Sequence, residues 1–154
     1  HAALTHYFGS LDELLVAVYR EAAARGDEAA ARGDETDERD ATPAESMRRA
    51  AAENREIPGM VELYSTLVAS ALGAAHPAAH AYVTERFSAL RTGLTAEVTE
   101  LQASGRIRDD VDPKLAAALI IAASDGLQTQ WLLDPSVDHE AALALLDRLL
   151  APPS

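Results

Sequence analysis

Cysteine is absent from the 154 residues. That removes disulfide frameworks, thiolate zinc sites and cysteine nucleophiles together, and it suits a reducing, cytoplasmic setting. Aromatics are scarce, at 5 % with a single Trp, and β-branched runs are few, so an all-α fold is favoured. No apolar run reaches the roughly 18–20 residues of a membrane span. The nearest, Leu115 to Ala123, gives way to Ser124 and Asp125, and no signal-peptide pattern is present. Basic charge is short as well. Thirteen Lys and Arg face 25 Asp and Glu, a net charge of −12, which opposes nucleic-acid binding over a broad surface of these residues. Catalytic patterns are missing too: there is no Gly-x-Ser-x-Gly elbow, no phosphate-cradling glycine loop and no pair of carboxylates in an apolar setting. An enzyme is not expected, nor a bound cofactor.

What is present is helix. Hydrophobic residues make up 48 % of the chain, enough for one sizeable core. Ser10-Leu11-Asp12-Glu13 forms a capping box ahead of an amphipathic helix with Leu14, Leu15, Val18 and Ala22 as its apolar stripe. That helix runs into a heptad duplication, Glu21 to Asp27 and Glu28 to Asp34, and is expected to continue past Gly26 and fray near Gly33. The acidic stretch from Asp34 to Ala41 reads as a linker. Thr42-Pro43-Ala44-Glu45 restarts helix, which ends before Pro58. Pro58 can open the next helix, stopped by Gly73, and Pro77 a longer one with a seam of Val83, Phe87, Leu90, Leu94, Val98 and Leu101. Gly105 sits where a left-handed cap belongs. Asp112-Pro113 starts a helix that is apolar nearly all round as far as Leu133, and Asp138 caps a last amphipathic helix. These two final helices need cover that a domain this small does not supply. A homodimer through Leu119, Ala123, Leu127, Leu145 and Leu149, built as a four-helix bundle, would provide it.

The opening stretch, HAALTHYFGSLDELLVAVYR, carries a resemblance. Leu4, the run His6-Tyr7-Phe8, the Gly9-Ser10 break and then Asp12-Glu13-Leu14-Leu15 are similar to the end of the recognition helix, and the start of the next helix, in the tetracycline-repressor (TetR) family of transcription regulators. The two-helix ending, with Asp125-Gly126-Leu127-Gln128 and Trp131, resembles that family's effector and dimerisation domain. Leu11 stands where the family usually has a basic residue, leaving no charge for the phosphate contact expected there. The resemblance implies a TetR-like all-α fold in which residues 1–9 end a helix-turn-helix whose remainder precedes His1, and residues 10–151 form a ligand-binding and dimerisation bundle. It also implies that Ala3, Thr5, His6 and Tyr7 lie at or near operator DNA. Tyr7 would donate to a phosphate, which positions the reader without adding charge.

Several single residues admit a plainer role beside a functional one. His76 and His80 stand at i, i+4, a spacing that serves zinc, but no third ligand is evident and the pair reads as surface histidines. His139, in a first helical turn beside Glu140, reads as solvent-exposed. Asp125 and Gln128 lie in the apolar helix and need partners: a second chain, a backbone group or a ligand. Tyr64, Phe87 and Trp131 fall on apolar stripes, where rings are more often core than pocket. Facing alanines nevertheless leave room for a cavity lined by Met60, Tyr64, Leu67, Phe87, Leu90, Gln128 and Trp131, suited to a mainly hydrophobic small molecule. The functional expectation is a homodimeric regulator, a repressor rather than an activator, whose small effector releases operator DNA. Its rival is a helical dimerisation or adaptor module with neither ligand nor DNA.

Overall fold

A computed structural model describes residues 10–30 and 41–153. Among them are six helices and no strand: α1 (Leu11–Ala30), α2 (Pro43–Glu56), α3 (Met60–Ala71), α4 (Pro77–Ala103), α5 (Pro113–Leu133) and α6 (His139–Leu150). The fold is all-α, as the composition implies. Ala3, Thr5, His6 and Tyr7 lie outside the described residues, as do the second heptad copy beyond Ala30 and the acidic stretch 34–40.

Local capping chemistry sets most of the boundaries. Ser10 Oγ accepts from the Glu13 N–H at 3.3 Å, Thr42 Oγ1 from Glu45 at 3.2 Å, Asp112 Oδ1 from Lys114 at 2.7 Å and Asp138 Oδ1 from Ala141 at 2.9 Å. Gly105, at φ 71°, closes α4: the Arg106 N–H returns to the Leu101 carbonyl at 2.8 Å and the Gly105 N–H to Gln102 at 3.0 Å. Gln102 Nε2 then donates to the carbonyls of Arg108 and Val111, both at 2.9 Å, and so holds the loop that leads into α5. The start of α3 differs from expectation. Pro58 and Gly59 form a turn closed by the Met60 N–H on the Ile57 carbonyl at 3.1 Å, with Gly59 at φ 77°. Pro at the second position and Gly at the third are what such a turn requires, so the helix starts at Met60.

Two further expectations are corrected. The buried face of α1 is Asp12, Val16 and Tyr19, with Leu15, Ala22 and Ala23 packed beside it, whereas Val18 is 47 % exposed. The stripe is helical in spacing but rotated, because Tyr19 turns inward and takes the phase with it. His139 is not at the surface; it is 1 % exposed, enclosed where α6 packs on α2. A first-turn residue is normally solvated, but the long face of α2 closes over this one.

The core is in two parts. One cluster joins Val16 and Tyr19 of α1, Met60, Tyr64 and Leu67 of α3, and Ala79 and Val83 at the start of α4. The other joins Leu94, Val98 and Leu101 at the end of α4 with Ile107 and with Ala117, Ile120 and Ile121 around α5. Phe87, midway along α4, packs against both. With 27 residues, α4 is about 40 Å long at 1.5 Å per residue, and it spans the two clusters.

One cap is supplied from another helix. His76 precedes α4 without a side-chain cap of its own. Asp12 of α1, 3 % exposed, fills that role: its Oδ2 accepts from the N–H groups of Ala78 at 3.0 Å and Ala79 at 3.4 Å. A carboxylate is favoured at a helix N-terminus by the unpaired amides and the dipole. His80 Nδ1 lies 3.0 Å from the Ala71 carbonyl, a contact that ties α4 to the end of α3. Among the described residues no group of three or more potential ligands gathers around a metal position.

Candidate functional site

Where the two clusters fail to meet, the helices enclose a cavity of about 150 Å³. Tyr19 comes to it from α1, Met47 and Asn54 from α2, Met60 and Tyr64 from α3, Arg86 and Leu90 from α4. From α5 come Ile121, Ser124, Asp125 and Gln128. Small residues on α2, Ala50 and Ala51, make the room.

The polar groups are organised. Tyr64 donates from its hydroxyl to Asp125 Oδ2 at 3.4 Å. Its ring lies 5.4 Å from that of Tyr19, centroid to centroid, and the Arg86 guanidinium sits over both rings at 5.5 and 5.6 Å. Cation–π contact of this kind partly replaces the water a buried guanidinium loses. Burial, and secondarily the Asp125 charge, push the Tyr64 hydroxyl well above the ordinary phenol range. Burial also raises Asp125, opposed by the Tyr64 hydrogen bond and by Arg86. The cavity is thus a mixed surface: apolar walls around a phenol, a carboxyl and a guanidinium.

Of the lining expected from the sequence, the fold brings together Met60, Tyr64, Leu90 and Gln128. Leu67 is instead fully buried in the first cluster. Phe87 borders a separate surface hollow with Arg91, Ala118 and Ile121. Trp131 is half-buried, with the Arg55 guanidinium 5.6 Å above its ring. Arg55 also pairs with Glu140, and Arg48 reaches the same carboxylate at 3.7 Å, so the Trp131 region is part of the α2–α6 contact. The cavity is more polar than a mainly hydrophobic pocket, because Tyr19, Asn54, Arg86 and Ser124 enter it from positions the apolar stripes do not mark. Asp125 and Gln128 signalled themselves in advance, as polar groups in an apolar helix that require partners. For Asp125 the partner is a side chain of the same chain, Tyr64, rather than a second chain, a backbone group or a ligand.

On the opposite side, the large side chains expected at a dimer interface remain uncovered: Leu119 is 63 % and Leu149 60 % exposed, and Leu145 is exposed as well. Ala123 and Leu127 are half-buried.

With this geometry in view, the comparison with known families is decisive. A family model for the C-terminal domain of BetI-type transcriptional repressors matches residues 58–152. The chain belongs to the TetR family. It is thereby placed among transcriptional regulators. No curated protein and no solved structure matches it. The match to the TetR-family domain begins at the Pro58 turn and covers α3 to α6. Tyr19, Met47 and Asn54 therefore reach the cavity from helices that precede the matched segment. Among the described residues no helix is long and apolar enough to cross a membrane.

Proposed function

We propose that this TetR-family chain is the effector-binding and dimerising part of a repressor that releases operator DNA when a small molecule fills the cavity. The observation that supports it is the position of the cavity. It touches α1 through Tyr19, and α1 is the helix that would lead from residues 1–9, read as the end of the recognition helix, into the core. A molecule held between Tyr19, Tyr64 and Arg86 acts on the tilt of α1 relative to α3 and α4, and through it on the spacing of two DNA readers in a homodimer. In this reading Ala3, Thr5, His6 and Tyr7 face the operator. Residues 10–151 bind the effector and form the dimer, with Leu119, Leu145 and Leu149 covered by the partner copy. A 100-fold loss of operator affinity requires the ligand to prefer the released form by about 2.7 kcal/mol. That is within reach of one well-made charged contact in a closed cavity.

The test is operator binding by the full-length protein, followed by fluorescence anisotropy of a labelled duplex from its own upstream region during titration with a small-molecule library. The expected result is tight binding that selected compounds weaken at least tenfold. Substitution of Tyr64→Ala should blunt their effect. Operator affinity that no compound alters would remove the effector role.

A further inference from the structure

The cavity also indicates the class of molecule it takes, and this rests on its being the effector site. Arg86 is the unusual group. Its guanidinium lies over Tyr19 and Tyr64, and the Tyr64 hydroxyl also supports its charge by a hydrogen bond, while its Nε is buried without a partner. The acid on the same wall, Asp125, is engaged by the Tyr64 hydroxyl, so Tyr64 stands between the two charges. A guanidinium cannot shed its proton to escape such a site, as a buried lysine can. The Arg86 side chain lines the cavity, so an occupant meets a fixed positive charge there.

We propose that the occupant is a small monocarboxylate with an apolar body, its carboxylate on Arg86 and its body against Met47, Met60, Leu90 and Ile121. A carboxylate complements a guanidinium in charge and in its planar fork. The space sets the size: a cavity of about 150 Å³ accommodates a single benzene-sized ring, so the body is one ring or a short branched chain. The remaining dipoles, Asn54, Ser124 and Gln128, are available to a substituent. Asp125 would repel an anion if ionised, and its burial raises its pKa, which lessens the conflict.

Arg86 also borders solvent. Arg86 and Leu90 border both the enclosed cavity and an open groove of about 560 Å³ between α1 and α4, lined further by Arg20, Tyr82 and Glu85 among the described residues. Arg86 therefore lies between the cavity and a groove open to solvent. Arg20, 4.8 Å above the Tyr82 ring, adds a second cation to the groove, offset there by Glu85 and Glu97.

The experiment is isothermal titration calorimetry of the full-length protein with benzoate, phenylacetate, cyclohexanecarboxylate and 3-methylbutanoate, each paired with its primary amide and with an amine of matching skeleton. At least one acid should bind tenfold or more tighter than its amide, with no binding by its amine. Arg86→Gln should abolish that preference, and Arg86→Lys should retain part of it. Amides or amines that bind as tightly as the acids, or an acid preference undisturbed in Arg86→Gln, would overturn the assignment. The acid-to-amide comparison needs no variant, so it stands even if Arg86→Gln misfolds. If neutral compounds release the operator while acids do not, the effector reading survives and the carboxylate fails. If nothing in any class binds, the carboxylate assignment falls, and the operator titration alone decides the effector reading.

Discussion

A histidine at the first position of a helix usually meets water, and here it does not. The His139 ring is enclosed, and neither nitrogen has a hydrogen-bond partner. Burial, with the Arg55 guanidinium adding to it, holds the pKa below the ordinary imidazole value, while the neighbouring Glu140 pulls the other way. The unfolded chain therefore takes up this proton near pH 6.5, before the folded one does. Its contribution to stability is complete above that pH and is lost as pH falls through the lower folded pKa. We expect His139→Met to equal or exceed the parent in Tm at pH 7.5, since it also removes an unsatisfied N–H. Its Tm should fall less than the parent's between pH 7 and pH 5. Circular dichroism melts across that range decide the point, and identical slopes for the two proteins would exclude His139 as the cause.

At the level of helices, the cap that the start of α1 places on the N-terminus of α4 is made by one carboxylate. Its Ser10 hydrogen bond, together with the amides of Ala78 and Ala79, keeps the Asp12 pKa below the ordinary carboxylate value. The cap therefore stands above about pH 4 and is lost only as pH drops through the lowered folded pKa. Replacement by Ala in Asp12→Ala should accelerate hydrogen exchange at the Ala78 and Ala79 amides and lower Tm, with exchange in α6 unaltered. Unchanged protection at those two amides would show that α4 does not depend on this cap. The same comparison explains what could be read in advance. Thr42, Asp112, Asp138 and Gly105 act on amides or carbonyls within a turn of themselves, so their roles are written in adjacent letters. Asp12 acts on residues 66 and 67 positions away, and no local pattern encodes that. The cavity is legible in part for the same reason. Met60, Tyr64, Leu90 and Gln128 lie on stripes that one helix reveals by itself, but Tyr19 and Arg86 depend on how α1 and α4 are rotated against α3. The burial of His139 has no local signature, because its cover comes from α2, far off in the sequence.

For the molecule as a whole, the sorting of α5 is the useful result. Ile121, Ser124, Asp125 and Gln128 face the cavity, while Leu115 and Leu119 remain exposed, as do Leu145 and Leu149 on α6. A helix that is apolar nearly all round thus has one face on the cavity and another exposed. If the exposed set is where two copies meet, the double substitution Leu119→Glu and Leu149→Glu should turn a dimer into a folded monomer in sedimentation velocity, with the far-UV spectrum retained. A dimer that persists would move the interface elsewhere. Finally, α4 threads both hydrophobic clusters and Phe87 touches each, so neither half can melt and leave the other standing. The cavity lies at that seam. If the proposed effector fills it, its binding free energy is lent to the entire fold at once, and the regulator's resistance to degradation should then rise and fall with the abundance of that molecule.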